Sequence, residues 1–198
     1  MKEKIIVVDP GHGTNGDPGA VGRSYGTKEA DIALAISKFL KEELESFESP
    51  SFKVVMTRED DYGLSLSGRV ALARTHKADL FVSIHLNSFS KESAEGNEVI
   101  YHGRSKIGPV IAKHIMDRLA TMEGHKNRGI KSDLQLAPPS SKNPKGGFVV
   151  LRDTPMPAVL VECEFISNPR MEEKLRTEGF QKQYATLIAQ GIVDYYRS

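Results

Sequence analysis

The chain has no tryptophan and a single cysteine, Cys163. One cysteine cannot close an internal disulfide, so a stapled miniature scaffold is excluded. Charge of one sign is also lacking. Lys and Arg number 27 against 26 Asp and Glu, a formal net charge of +1, so no overall field draws in nucleic acid or an anionic surface. The basic positions Arg58, Arg69, Arg74, Arg104, Arg128 and Arg152 are scattered and have no interleaved aromatics, which is not a nucleic-acid footprint. No run of apolar residues approaches the roughly 20 that a membrane span needs. The opening Met1–Pro10 carries an apolar stretch of only four residues before Asp9-Pro10 and does not read as a secretory signal. No internal repeat, low-complexity block or linker divides the chain, so its 198 residues are expected to form one domain, 1–198.

Apolar and β-branched runs bounded by turn residues predict strands at Lys4–Val8, Lys53–Thr57, Leu80–Ile84, Glu98–Tyr101, Phe148–Leu151 and Ala158–Val161. Helical periodicity places Ile32, Ile36, Phe39, Leu40, Leu44 and Phe47 on one face of Glu29–Phe47. It does the same for Ile107, Val110, Ile111, Ile115 and Leu119, and for the closing set Phe180, Tyr184, Leu187, Ile188, Ile192 and Tyr195. Leu66–His76 makes a shorter helix. Strands alternating with helices imply an α/β fold with a mixed, mostly parallel sheet of about six strands and helices on both faces. The link Asp153–Ala158 is too short for a crossover helix, so one antiparallel pair is expected there. Gln135–Gly147 reads as a long irregular loop of the kind that often serves a function.

In such sheets ligands bind beyond the carboxyl ends of the strands. Three strands end in reactive residues: Asp9 and His12 after the first, His85 and Asn87 after the third, Glu162 at the last. A glycine-rich loop, 13–27, delivers Glu29 to the start of the first helix. If the strands are parallel neighbours, two imidazoles and one or two carboxylates meet on one rim. That is the donor set of a catalytic zinc site with a position left for water. Taken one at a time, each residue has a plainer role. Asp9-Pro10-Gly11 is a good tight turn, and Glu29 a favourable first-turn charge. Strand alternation puts Glu164 on the same side as Glu162, so pattern alone leaves both open. Cys163, on the other face, reads as a small buried hydrophobe. His76, His102, His114 and His125 read as surface or loop residues, with His102 able to line the cleft.

Asp9-Pro10-Gly11-His12-Gly13, Glu29, Ser83-Ile84-His85-Leu86-Asn87 and Val159-Leu160-Val161-Glu162, with Phe165-Ile166-Ser167-Asn168 just beyond, occur in that order. Thr57-Arg58, Arg69 and Val150-Leu151-Arg152 lie between them. Together they resemble the zinc-dependent N-acetylmuramoyl-L-alanine amidases, and the resemblance runs from Ile5 to about Tyr195. It implies one zinc ion held by His12, Glu29 and His85, with Glu162 rather than Glu164 as the catalytic carboxylate. It implies Asn87 and Arg152 as further contacts to the site or substrate. The implied reaction is hydrolysis of the amide between N-acetylmuramic acid and the first L-alanine of peptidoglycan stem peptides. The partner is then peptidoglycan, and a monomer acting on the cell wall is expected, released from the cytoplasm in the manner of a phage lysin or exported by a leader outside this sequence. Rival readings are a zinc carboxypeptidase or aminoacylase, and an inert peptidoglycan-binding module. Glu164 departs from the family pattern, which has a small residue there, and is expected to add a carboxylate beside the site.

Overall fold

A computed structural model describes residues 2–198. The chain runs β1 (Lys4–Pro10), α1 (Glu29–Glu45), β2 (Phe52–Met56), α2 (Leu66–Thr75), β3 (Leu80–Asn87), β4 (Asn97–Tyr101), α3 (Gly108–Leu119), β5 (Asn127–Ser132), α4 (Asp133–Leu136), α5 (Val149–Arg152), β6 (Ala158–Phe165), α6 (Pro169–Leu175) and α7 (Glu178–Arg197). The six strands form one sheet in the order β2-β1-β3-β6-β4-β5. All neighbours are parallel except β4 and β6. The α/β class and the mixed, mostly parallel sheet are therefore as the sequence implies.

Burial explains the order. Ile6, Val7 and Val8 of β1 are fully buried, as are Phe81, Val82 and Ile84 of β3, because both strands are covered on both faces. One face packs under α1, α3 and α7 through Ile36, Leu40, Ile111, Ile115, Tyr184 and Ile188. The other carries a smaller cluster of Val7, Phe81, Ile100 and Leu160 under Ala73 of α2 and Val150 and Leu151 of α5. The short helices on this second side leave the ends of β1, β3 and β6 open.

Two strand expectations are corrected. Phe148–Leu151 is not a strand: the amides of Leu151 and Arg152 donate to the Phe148 carbonyl, and Asp153 to Val149, which winds one helical turn. Its Val-Val-Leu run satisfies either period over four residues, and tertiary packing of Val150 and Leu151 against the second face decides it. The sixth strand is β5, Asn127-Arg128-Gly129-Ile130-Lys131-Ser132, a polar edge strand that is half-buried beyond Asn127. The antiparallel pair is accordingly β4 with β6, not the two runs flanking Asp153–Ala158. The irregular loop expected over Gln135–Gly147 runs over 137–147, because Gln135 and Leu136 close the short helix α4.

Candidate metal and catalytic site

The sheet register assembles the site. His85 of β3 pairs with Glu162 of β6, and Pro10 of β1 with Ile84 of β3. Alternation turns Ser83 and His85 away from the α1–α7 side, while Val82, Ile84 and Leu86 join that core. Glu162 shares its face with Leu160.

The loop after β1 carries His12 in the left-handed region, at φ 60°, with Gly13 next at φ 80°. Such backbone persists only when its surroundings hold it. Two buried arginines do so. Arg58 donates to the carbonyls of Pro10 (3.1 Å), Gly11 (2.8 Å) and Ala30 (2.7 Å). Arg69 donates to Pro10 (2.8 Å) and His12 (2.6 Å) carbonyls and to Asp9 Oδ1 at 2.7 Å. Asp9 also accepts from Thr57 and Ser83, both at 2.6 Å, so it braces the loop. Gly11 is required by contact: a Cβ there would run into the His85 ring.

Glu29 is delivered to the same point. Its Oε1 lies 2.8 Å from His85 Nδ1 and 3.2 Å from His12 Nε2, and accepts from the Leu86 amide at 3.0 Å. Oε2 accepts from the Ala20 amide at 2.8 Å. The other ring nitrogen of His12 meets Asp17 Oδ2 at 2.8 Å, which fixes the ring. The loop before Glu29 is tied down from the far end of the chain. Buried Glu172 of α6 accepts the amides of Ser24, Tyr25 and Thr27 at 2.8 to 3.1 Å.

One donor atom each from His12, Glu29 and His85 fall within 4.8 Å of one another, a group able to hold a metal ion. Burial would raise the Glu29 carboxyl, but hydrogen bonds from His12 and His85 outweigh it and hold the group well below the usual carboxylate range. The hydrogen bond to Glu29 raises His12 to about 9 against the opposing effect of burial, with Asp17 adding to the rise. Metal binding needs the imidazole nitrogens free of protons and the carboxyl ionised, so occupancy of such a donor set depends on pH.

Glu162 stands beside this cluster without touching it. Its Oε2 is buried and has no hydrogen-bond partner among the described residues. Burial pushes its carboxyl up to about 7. Two adjoining hollows share Leu66, His85 and Val150. One, of about 420 Å³, reaches His12, Thr14 and Leu64; the other, of about 430 Å³, reaches Glu162, Phe148, Ala137 and Asn143. The loop 137–147 is thus one wall of the cleft. Arg152 anchors that wall, donating to Asn143 Oδ1 and the Gly146 carbonyl while pairing with Asp153. Asn87 turns from the cluster to Glu98, donating at 2.9 Å.

Glu164 does not join Glu162. His85 pairs with Glu162 but Asn87 pairs with Phe165, so β6 carries one extra residue and alternation is reset. Glu164 consequently lies on the α7 side, where its carboxylate accepts the Gly96 amide at 2.7 Å and meets His125 Nδ1 at 3.1 Å. His125 is correspondingly a buried side chain packed on Phe180, not a surface one. His102 is also buried, against Asp133. Cys163 is fully buried, as a small hydrophobe should be.

A pair of imidazoles with two carboxylates, one bound to the imidazoles and one free, is a donor set of the kind that metal-assisted hydrolases use. Residues 6–194 match the family model described as N-acetylmuramoyl-L-alanine amidase. The chain is 32% identical to the N-acetylmuramoyl-L-alanine amidase AmiA of Escherichia coli, over 98% of this chain and 76% of that protein. It is 34% identical to AmiC of Escherichia coli, over 97% of this chain but only 52% of that protein, so it spans about half the length of this second relative. The crystal structure of an N-acetylmuramoyl-L-alanine amidase from Clostridium difficile 630 superposes with a TM-score of 0.89 at 32% identity, covering 100% of this chain and 99% of that one. The chain belongs to the N-acetylmuramoyl-L-alanine amidase family.

Proposed function

We propose that this chain hydrolyses the amide between N-acetylmuramic acid and the first L-alanine of peptidoglycan stem peptides, using one zinc ion held by His12, Glu29 and His85. Two imidazoles and a carboxylate suit zinc, and the three donors already converge. When bound, zinc polarises a carbonyl and lowers the pKa of a coordinated water.

The chain's own groups carry the proton traffic. Glu162 takes a proton from the attacking water as the carbonyl carbon gains its new C–O bond. It then gives that proton to the amide nitrogen as the C–N bond breaks, which releases the L-alanine amine and leaves a carboxylate on the lactyl group. A base that becomes an acid needs a carboxyl that can exist in both forms near neutral pH, and burial supplies that tendency here. Asp17 holds the His12 ring, while Arg58 and Arg69 hold the backbone that aims it. Val150 and Phe148 keep one side of the cleft apolar.

The single observation that carries the reading is the unpartnered, buried Glu162 Oε2 beside the three-donor cluster. The test is Glu162→Gln. It should lower kcat by about 10²–10⁴-fold while zinc content stays at one per chain. Loss of zinc, or activity within a few-fold of the unaltered protein, would contradict the role.

A further inference from the structure

A third hollow, of about 350 Å³, opens on the β4–β5 side of Glu162 and takes no part in the chemistry above. Its floor is Glu98, the cross-strand partner of Glu162, and Asn87. Its walls are Arg128 and Lys131 of the edge strand β5, Lys91, and the exposed apolar side chains Phe89 and Leu136.

The charges there do not cancel. Glu98 Oε2 receives Arg128 Nε at 2.8 Å and Lys131 Nζ at 2.6 Å, while Asn87 holds Oε1. Those ion pairs, against the cost of burial, keep Glu98 below the usual carboxylate range and so ionised. Three cations thus face one carboxylate. One cation would suffice to neutralise Glu98. Arg128 is also oriented: its guanidinium lies 4.8 Å from the Phe165 ring centre, and its two terminal nitrogens make no hydrogen bond among the described residues. A guanidinium stacked on a ring, pinned by Nε and free at its outer edge is a fork set for a carboxylate.

We propose that Arg128 and Lys131, with Lys91, form a subsite for a carboxylate of the stem peptide just beyond the scissile amide. This rests on the amidase reading of the site. The distances suit it. Neighbouring strands lie about 4.8 Å apart, and an extended peptide advances about 3.5 Å per residue. With the scissile bond at His85 and Glu162, the next one or two stem residues lie over Glu98 and bring an acidic group to β5. The glycan side of the cut is a neutral amino sugar, whereas the stem is acidic, so the cationic hollow fits the stem and the hollow near Leu64 and Thr14 is left for the sugar. Phe89 and Leu136 would pack against the stem's aliphatic carbons.

The test compares two synthetic muramoyl peptides that differ only in the residue after L-alanine, one with a free carboxylate and one with that group amidated. The zinc-loaded protein should cleave the free acid with a kcat/KM about tenfold or more above that of the amide, chiefly through KM. Arg128→Gln and, separately, Lys131→Gln should bring the ratio down towards one. The ratio is taken within one preparation, so partial misfolding of a variant cannot imitate the effect. Cleavage of both peptides by the unaltered protein at equal kcat/KM would overturn the subsite and leave the amidase reading intact. A ratio unmoved by either substitution would likewise overturn it. Cleavage of neither peptide, with zinc bound, would overturn the amidase reading and the subsite together.

Discussion

Glu162 of β6 is the register partner of His85 of β3. The parallel pairing of two buried strands therefore sets the proposed proton-transfer group beside a proposed metal donor, and no loop has to find the position. Rigid strands hold such geometry better than loops. Of the other two members, His12 sits in the loop after β1 and Glu29 opens α1 at the end of the glycine-rich loop, and it is on these loops that the buried braces Arg58, Arg69 and Glu172 are concentrated.

The donor set leads to a graded expectation. His85→Ala and His12→Ala should each leave far less than one zinc per chain by elemental analysis, with activity lost. Asp17→Ala removes only the group that orients His12, and should weaken zinc binding about 10–100-fold while saturating zinc restores most activity. Equal zinc affinity in the Asp17 variant would show that the ring is oriented by other means.

Close approach at Gly11 gives a second expectation. A methyl group there would overlap the His85 ring, and the strand backbone around it is fully paired. Gly11→Ala should lower kcat/KM by about tenfold or more, since small displacements of a reacting group are costly. Its far-ultraviolet circular dichroism should be unchanged. Normal activity would mean that the ring has room to move aside.

The pH dependence of stability should track Glu172. Burial alone would raise its carboxyl, but the amides of Ser24, Thr27 and Tyr25 lower it below the ordinary value of 4.5. A depressed carboxyl contributes stability above the unfolded value, and that contribution fades as pH falls through the folded one. Glu172→Gln should therefore cost about 1–3 kcal/mol at pH 7, a drop of several degrees in Tm, and the gap should close as pH falls below the ordinary carboxylate range. A gap that is constant with pH would contradict the ionic role.

The bulge in β6 predicts that Glu164 concerns folding rather than catalysis. Glu164→Gln should lower Tm by loosening the His125 and Gly96 contacts, with kcat/KM within about twofold of the unaltered protein. A large fall in kcat at unchanged Tm would place Glu164 with the reacting groups after all.

The parts of this architecture that could be read in the sequence are those whose residues advertise their surroundings. Ile5-Ile6-Val7-Val8 and Leu80–Ile84 are apolar enough to be buried strands, and each run ends in reactive residues. The edge strand β5 is hidden because Asn127, Arg128, Lys131 and Ser132 are polar and only Ile130 is a large apolar residue. Phe148–Leu151 is too short for its periodicity to distinguish strand from helix. A one-residue bulge leaves no mark in the pattern, yet it moved Glu164 to the opposite face. Asp17, Arg58, Arg69 and Glu172 act across 5 to 148 positions of sequence, and all but Asp17 do so largely on backbone atoms that every residue has. The glycine-rich loop 13–27 was the signal that something must hold it, but not of what.

The most direct measurement is mass spectrometry of purified peptidoglycan after incubation with the zinc-loaded protein, beside a chelated control. Free stem peptides with a new L-alanine amine, formed only with metal, are the predicted result. Cleavage inside the stem, or no cleavage with zinc confirmed in the protein, would contradict it.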